Sequence, residues 1–113
     1  MIVIGTNISM IRGDTESILV SVKDSEGFEV ALENGDIVYL TIKDNINTDN
    51  KALQKIVTEF PGGRALIEIS SDDTKDLKVK EYIYDIQLTK IDGSVTTIVK
   101  PSKFTLLGDV TRE

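Results

Sequence analysis

Side chains able to do covalent chemistry are scarce in this chain of 113 residues. It contains neither histidine nor cysteine, which removes the side chain that titrates near neutral pH and the thiolate nucleophile. Catalytic triads, cysteine nucleophiles and histidine-ligated zinc are thereby excluded. What remains is a carboxylate pair of the kind that hydrolyses glycosides, or a Ser-Lys nucleophile. Most of the acidic residues fall in turns or on outward strand positions, the ordinary place for solvated charge. The chain is therefore expected to be no enzyme and to use no cofactor or metal.

Two stretches imitate binding motifs. In the loop "KDNINTDNK", Asn45, Asn47 and Asp49 reproduce the first three alternating oxygen positions of a calcium loop. The imitation fails at Asn50, where glycine makes the sharp turn, and at Ile56, where a bidentate glutamate is required. A polar connection is the expectation. "IRGDT" holds Arg12-Gly13-Asp14, a cell-adhesion tripeptide when it is exposed on an exported protein. Gly13-Asp14 is equally sound turn chemistry, and "MIVIGTNISM" shows neither the basic region nor the cleavage site of a secretory signal. A bend is expected there, in a chain folded in the cytoplasm, and the Asn7-Ile8-Ser9 sequon is expected to be a chance match. "SSDDTKD" at 70 to 76 is expected to be a solvated crossing between sheets, anchored by Leu77.

Composition narrows the partners. The length suits one domain spanning 1 to 113, and 40% hydrophobic with 28% charged residues is a globular balance. The net charge of −6 repels phosphate backbones, so nucleic acid is not an expected partner. No apolar run approaches the roughly 20 residues that span a bilayer, so no membrane is expected either.

The elements that would position any site are strands. Period-two alternation, which sends successive side chains to opposite faces, recurs four times. It predicts inward sets of Ile18, Val20 and Val22; of Val38, Leu40 and Ile42; of Ala65, Ile67 and Ile69; and of Tyr82, Tyr84, Ile86 and Leu88. Turn residues punctuate these runs at 24 to 27, 33 to 36, 61 to 63 and 91 to 94, and Asp92-Gly93 suits a tight hairpin. Short strands with regular turns point to an all-β sandwich of antiparallel strands. In "KALQKIVTEF" a strand is favoured, but Leu53, Ile56, Val57 and Phe60 also fit a short helix stopped by Pro61-Gly62. Pro101-Ser102 is read as an interruption of the last strand at a sheet edge.

Tyr82 and Tyr84 open a strand after a polar connection, the setting of a tyrosine corner in Greek-key sandwiches. Both lie on the inward set, so they offer no platform for sugar stacking. On the outward faces, Leu19, Ile37, Leu66 and Ile83 break otherwise polar patterns and are the candidate interaction residues. "IVIG" near the start and "FTLLG" near the end are candidate unpaired edges for strand addition to a partner.

"ISMIRGDTESILVSVKDSEG" resembles the opening of immunoglobulin-like domains in virion proteins of tailed bacteriophages, especially the N-terminal module of baseplate upper proteins. "DDTKDLKVKEYIYDIQLTKIDGSVTTIVKPSKFTLLGDVT" is similar to the second half of such domains. The resemblance spans residues 8 to 111 and implies an immunoglobulin-like sandwich of seven to eight strands. It also implies a structural part of a virion tail or baseplate, assembled in the bacterial host cytoplasm. Its partners would be other phage structural proteins or further copies of itself in a symmetric assembly, and the resemblance brings no catalytic residues. A capsid or tail-tube decoration protein is the alternative within this class. A module that binds a host-surface sugar or protein through loops 44 to 51 and 71 to 76 is the alternative outside it.

Overall fold

The structure is a computed structural model that describes residues 1–111. Ten strands follow in chain order: β1 (Ile2–Ile4), β2 (Asn7–Ile11), β3 (Glu16–Val20), β4 (Val22–Lys23), β5 (Glu29–Val30), β6 (Ile37–Lys43), β7 (Lys51–Val57), β8 (Ala65–Ile69), β9 (Glu81–Thr89) and β10 (Val95–Leu107). One helical turn, α1 (Ser71–Thr74), and a 3-10 turn at Pro61–Gly63 interrupt them. The all-β class is as the alternation predicts. The strand number exceeds the expected seven or eight because "ESILVSVK" breaks into β3 and β4, and because β1 and β5 are short pairings that no alternating run announces.

The strands form a six-stranded sheet in the order β1-β2-β10-β9-β6-β7, a two-stranded sheet β3-β8, and a small β4-β5 pair. All pairings are antiparallel except β2 with β10, which run parallel over Ile8–Ile11 and Phe104–Leu107. The large sheet is therefore mixed, where an antiparallel one was expected. No tight turn joins these two distant segments, so nothing local dictates their relative direction.

All four inward sets face one core. Val38, Leu40, Ile42, Ala65, Ile67 and Ile69 are fully buried, and Tyr82, Tyr84, Ile86 and Leu88 nearly so. Ile18 and Val22 are half-buried against the same cluster, which Ile8, Met10, Phe104 and Leu106 complete. Each fully buried aliphatic side chain contributes about 1.5–3 kcal/mol, and this burial holds β3-β8 over the large sheet. Tyr84 and Phe104 meet edge to face, with ring centroids 6.1 Å apart.

Residues 51 to 57 are a strand. β7 places Val57 opposite Val38 and Leu53 opposite Ile42, while Ile56 lies opposite Tyr39 on the other face and is exposed. A helix would have gathered Leu53, Ile56 and Val57 on one side; the neighbouring β6 offers a ladder that separates them.

One edge expectation needs correction. The segment "FTLL" is flanked by β2 on one side and β9 on the other, so the free edges of the large sheet are β1 and β7. Pro101 sits inside β10 within the second of two register shifts, Val99/Ser102, the first being Thr97/Val99. Each shift inserts one residue opposite β9, and since β2 joins β10 only from Phe104 onward, Pro101 stands at a local sheet edge, as expected, where a bulge accommodates its missing N–H.

Polar groups fix the corners. The Tyr82 hydroxyl donates to the Lys78 carbonyl at 2.7 Å, which is the tyrosine-corner geometry, and the Tyr84 hydroxyl donates to the Thr6 carbonyl. Asp36 is buried: its carboxylate accepts the Glu33 N–H at 3.0 Å and the Ile91 N–H at 3.3 Å, tying the start of β6 to the β9–β10 hairpin. In that hairpin the Gly93 N–H donates to the Lys90 carbonyl at 2.8 Å, and Gly93 takes a φ of +89° that a Cβ would disfavour. Replacing Tyr82 by Phe removes one buried hydrogen bond and keeps the ring. Urea unfolding is expected to show a loss of about 1 kcal/mol with an unchanged slope.

Candidate functional site

The four outward apolar residues divide into two groups. Leu19 and Leu66 are directly opposed across β3 and β8, and they remain 61% and 44% exposed on the outside of the smaller layer. A groove beside them, between β7 and β8, is lined by Ile56, Val57, Pro61 and Leu66. Ile56 extends the apolar strip, and its exposure follows from β7 being a strand. Ile37 and Ile83 lie instead on the outer face of the large sheet, both half-buried. They stand six rungs apart along β6–β9, opposite Thr89 and Lys43 respectively, which is about 20 Å at the rise of a strand. The structure thus unites Leu19 with Leu66 and separates Ile37 from Ile83. Phe28 and Ile91, at hairpin tips, are more exposed than any of the four; their turn context gave no sign of this.

Arg12-Gly13-Asp14 is a bend, with Gly13 at a φ of +85° and the Asp14 N–H donating to the Ile11 carbonyl at 3.1 Å. Its arginine is engaged inside the molecule. Nε donates to Asp109 at 2.9 Å, Nη1 donates to the Leu77 carbonyl at 3.2 Å, and the side chain is 17% exposed. The Gly13 N–H donates to Thr74 Oγ1 at 2.9 Å. An adhesion ligand presents a free arginine, and this one braces β2 against the segment after α1.

The loop that imitates a calcium site spends its oxygens on its own backbone. Asn45 Oδ1 accepts the Asn47 N–H at 3.0 Å, and Thr48 Oγ1 accepts the Asn50 N–H at 3.1 Å. Among the described residues, no group of three or more acidic side chains is placed to hold a metal ion. The 70 to 76 crossing is better tied than a solvated loop. Ser70 and Asp73 form a capping box around α1, Asp73 pairs with Lys55 at 3.0 Å, and Thr74 is buried. Leu77 packs half-buried against the core, as expected. Loops 44 to 51 and 71 to 76 share a groove, lined by Asp44 and Asn45 from the first and Asp76 from the second, and Lys80, beyond the second loop, pairs with Asp44 at 2.8 Å.

The outer face of the large sheet holds a cavity of about 220 Å³. Thr41, Lys43, Ile83, Asp85 and Gln87 line it from the strands, Ile46 from the loop after β6, and Pro101 from the bulged part of β10. Ile83 was predicted as an outward apolar residue; the polar group around it drew no prediction, because alternate polar residues on a strand are the pattern of any solvated face. Burial pushes the Asp85 carboxyl above its ordinary value, and the nearby Lys43 charge only partly offsets this. Asp73 is the opposite case: burial raises its carboxyl, but the Ser70 N–H and Lys55 outweigh burial and hold it below the usual range.

In comparisons with known proteins, no family model, curated sequence or solved structure matches the chain. No helix among the described residues is long and apolar enough to cross a membrane.

The two carboxylates have opposite linkage signs. Asp73, depressed in the fold, adds stability that is present above the ordinary carboxylate range and is lost as pH falls through its folded value. Asp85, raised in the fold, weakens the fold as pH rises from its ordinary value through its folded value. Thermal unfolding at about pH 7 and about pH 3 is expected to show that Asp73→Asn starts less stable than the parent and loses less on acidification, whereas Asp85→Asn is at least as stable as the parent at the higher pH.

Proposed function

We propose that this chain is a non-enzymatic structural module of a bacteriophage or prophage-derived particle, a tail or baseplate component that docks onto neighbouring subunits. The observation that carries the reading is the Leu19–Leu66 pair, two opposed and exposed leucines on the outer layer. Burying both at a contact contributes about 2 kcal/mol, and in a symmetric assembly that gain recurs at every copy. The free edges β1 and β7 are further places where a partner strand adds.

The immunoglobulin-like part of the reading has its own support. β3 pairs with β8 in one layer, β6, β9 and β10 are neighbours in the other, and Tyr82 at the start of β9 bonds the carbonyl four residues upstream. These are the pairings and the corner of such sandwiches, and they agree with the resemblance of "RGDTESILVSVKDSEG" and "YIYDIQLTKIDG" to phage virion domains. A capsid or tail-tube decoration protein would use the same contact physics and differ in copy number. Binding to a host surface is favoured by one observation, the groove that loops 44 to 51 and 71 to 76 share through Asp44, Asn45 and Asp76.

Mass spectrometry of purified particles, with copies per particle, tests the reading; absence of the chain from particles overturns it. A Leu19→Lys, Leu66→Glu double variant, whose opposed charges attract, is expected to fold with stability within about 0.5 kcal/mol of the parent for each exposed site. Its incorporation is expected to fall at least about tenfold, the effect of losing roughly 1.4 kcal/mol per contact. Incorporation at the parental level would remove the leucine pair from the interface, and depletion of free protein by sedimenting host cell walls would favour the surface-binding alternative.

A further inference from the structure

The cavity on the outer face of the large sheet gathers three features that each oppose folding. Lys43 and Lys51 are directly opposed across β6 and β7, and like charges in that position are destabilising. Among the described residues neither makes a hydrogen bond or a close ion pair; the Lys43 charge reaches Asp85 and only partly offsets its burial, and Lys51 leaves the group one positive charge in excess. Asp85, diagonal to Lys43 across β6 and β9, is half-buried at the same cavity and likewise lacks a hydrogen-bond donor. Departures from local rules that converge on one concavity mark functional sites.

The chemistry at the cavity is specific. Lys43 and Lys51 ask for an anion. Asp85 asks for hydroxyl or amine protons, and Thr41 and Gln87 add neutral polar groups beside it. Ile83, Ile46 and Pro101 supply apolar walls for carbon–hydrogen surface. At about 220 Å³ the space is smaller than the roughly 300–1,000 Å³ of drug-sized pockets, so it takes a single small unit. An acidic side chain from a partner would satisfy the lysines and leave Asp85 facing a second carboxylate. An uncharged sugar would satisfy Asp85 and leave the lysines opposed.

We propose that this cavity is a binding site for a small polyhydroxylated anion, a sugar acid or sugar phosphate, with its charge on Lys43 and Lys51 and its hydroxyls on Asp85, Thr41 and Gln87. The site lies on the opposite layer from Leu19 and Leu66 and does not depend on the docking reading.

Three probes separate the requirements, each titrated into the ¹⁵N-labelled full chain and followed by amide chemical shifts. Glucuronate carries hydroxyls and a charge, glucose hydroxyls alone, and glutarate charge alone. Glucuronate is expected to saturate with a Kd on the order of 1–10 mM, moving the amides of Thr41, Lys43, Lys51, Ile83, Asp85 and Gln87, with glucose and glutarate at least about tenfold weaker. Methyl glucuronide tells the source. Equal affinity assigns the end of a glycan chain, and loss of affinity assigns the free sugar acid. Asp85→Asn and Lys51→Gln are each expected to weaken glucuronate at least about tenfold while leaving particle incorporation at the parental level. Glutarate binding as tightly as glucuronate, shifts confined to other residues, or no shift up to about 50 mM glucuronate overturns the proposal, and the parental titration decides this whether or not the variants fold.

Discussion

Val38, Leu40 and Ile42 are withdrawn from water on one face of β6, while Tyr39, Thr41 and Lys43 stand on the other. Because the side-chain period of a strand is two, a slip of one residue against β7 or β9 would drive a lysine and a threonine into the core and expose three aliphatic residues. That penalty fixes the register of the central strands, and the positions of the other elements follow from it. β9 must meet β6 with Ile86 beside Leu40. β8 must then cover the buried row with Ala65, Ile67 and Ile69. The same register opposes Lys43 to Lys51 and places Asp85 two rungs away on the same face, so the polar cavity is a by-product of core burial on the reverse side of the same strands.

The two layers are unequal. Six strands face two, so the smaller layer concentrates its exposed apolar area on a narrow strip where Leu19 and Leu66 have only each other as cross-strand neighbours. The larger layer presents a broad polar surface shaped by one loop and one bulge. One face is thus suited to desolvated contact and the other to hydrated recognition, a division that arises from strand count and patterning and needs no reactive side chain.

Much of the fold was legible because burial and alternation are local properties. All four inward sets are where their spacing puts them, and Asp92-Gly93 makes the hairpin its backbone chemistry requires. What escaped depends on pairing between distant segments. The sequence around Ile8 and Met10 shows a strand but not that residues 104 to 107 will lie parallel to it. Pro101 marks a local edge, as its missing donor suggests, but nothing nearby reveals the bulge that holds it against β9. Asp36 looked like an ordinary turn residue, and one of the N–H groups that its carboxylate accepts belongs to Ile91, 55 positions away. Of the outward apolar residues, Leu19 and Leu66 were identifiable singly, but their opposition is a property of the β3–β8 register. Asp85 and Lys43 gave no signal at all, because a polar residue on an outward rung looks the same whether it faces open water or the floor of a cavity.

The parallel pairing of β2 with β10 also constrains how the chain is made. As synthesis proceeds, β2 emerges long before β10, the neighbour that covers its inner edge. Until residues 104 to 107 leave the ribosome, Ile8 and Met10 have only the short β1 beside them, and an apolar segment stays open to wrong partners. Closing a loop of that length before any pairing energy is gained also makes the final step slow. Completion of the large sheet therefore waits for β10, and a nascent chain halted before it would hold the smaller layer over an unfinished floor.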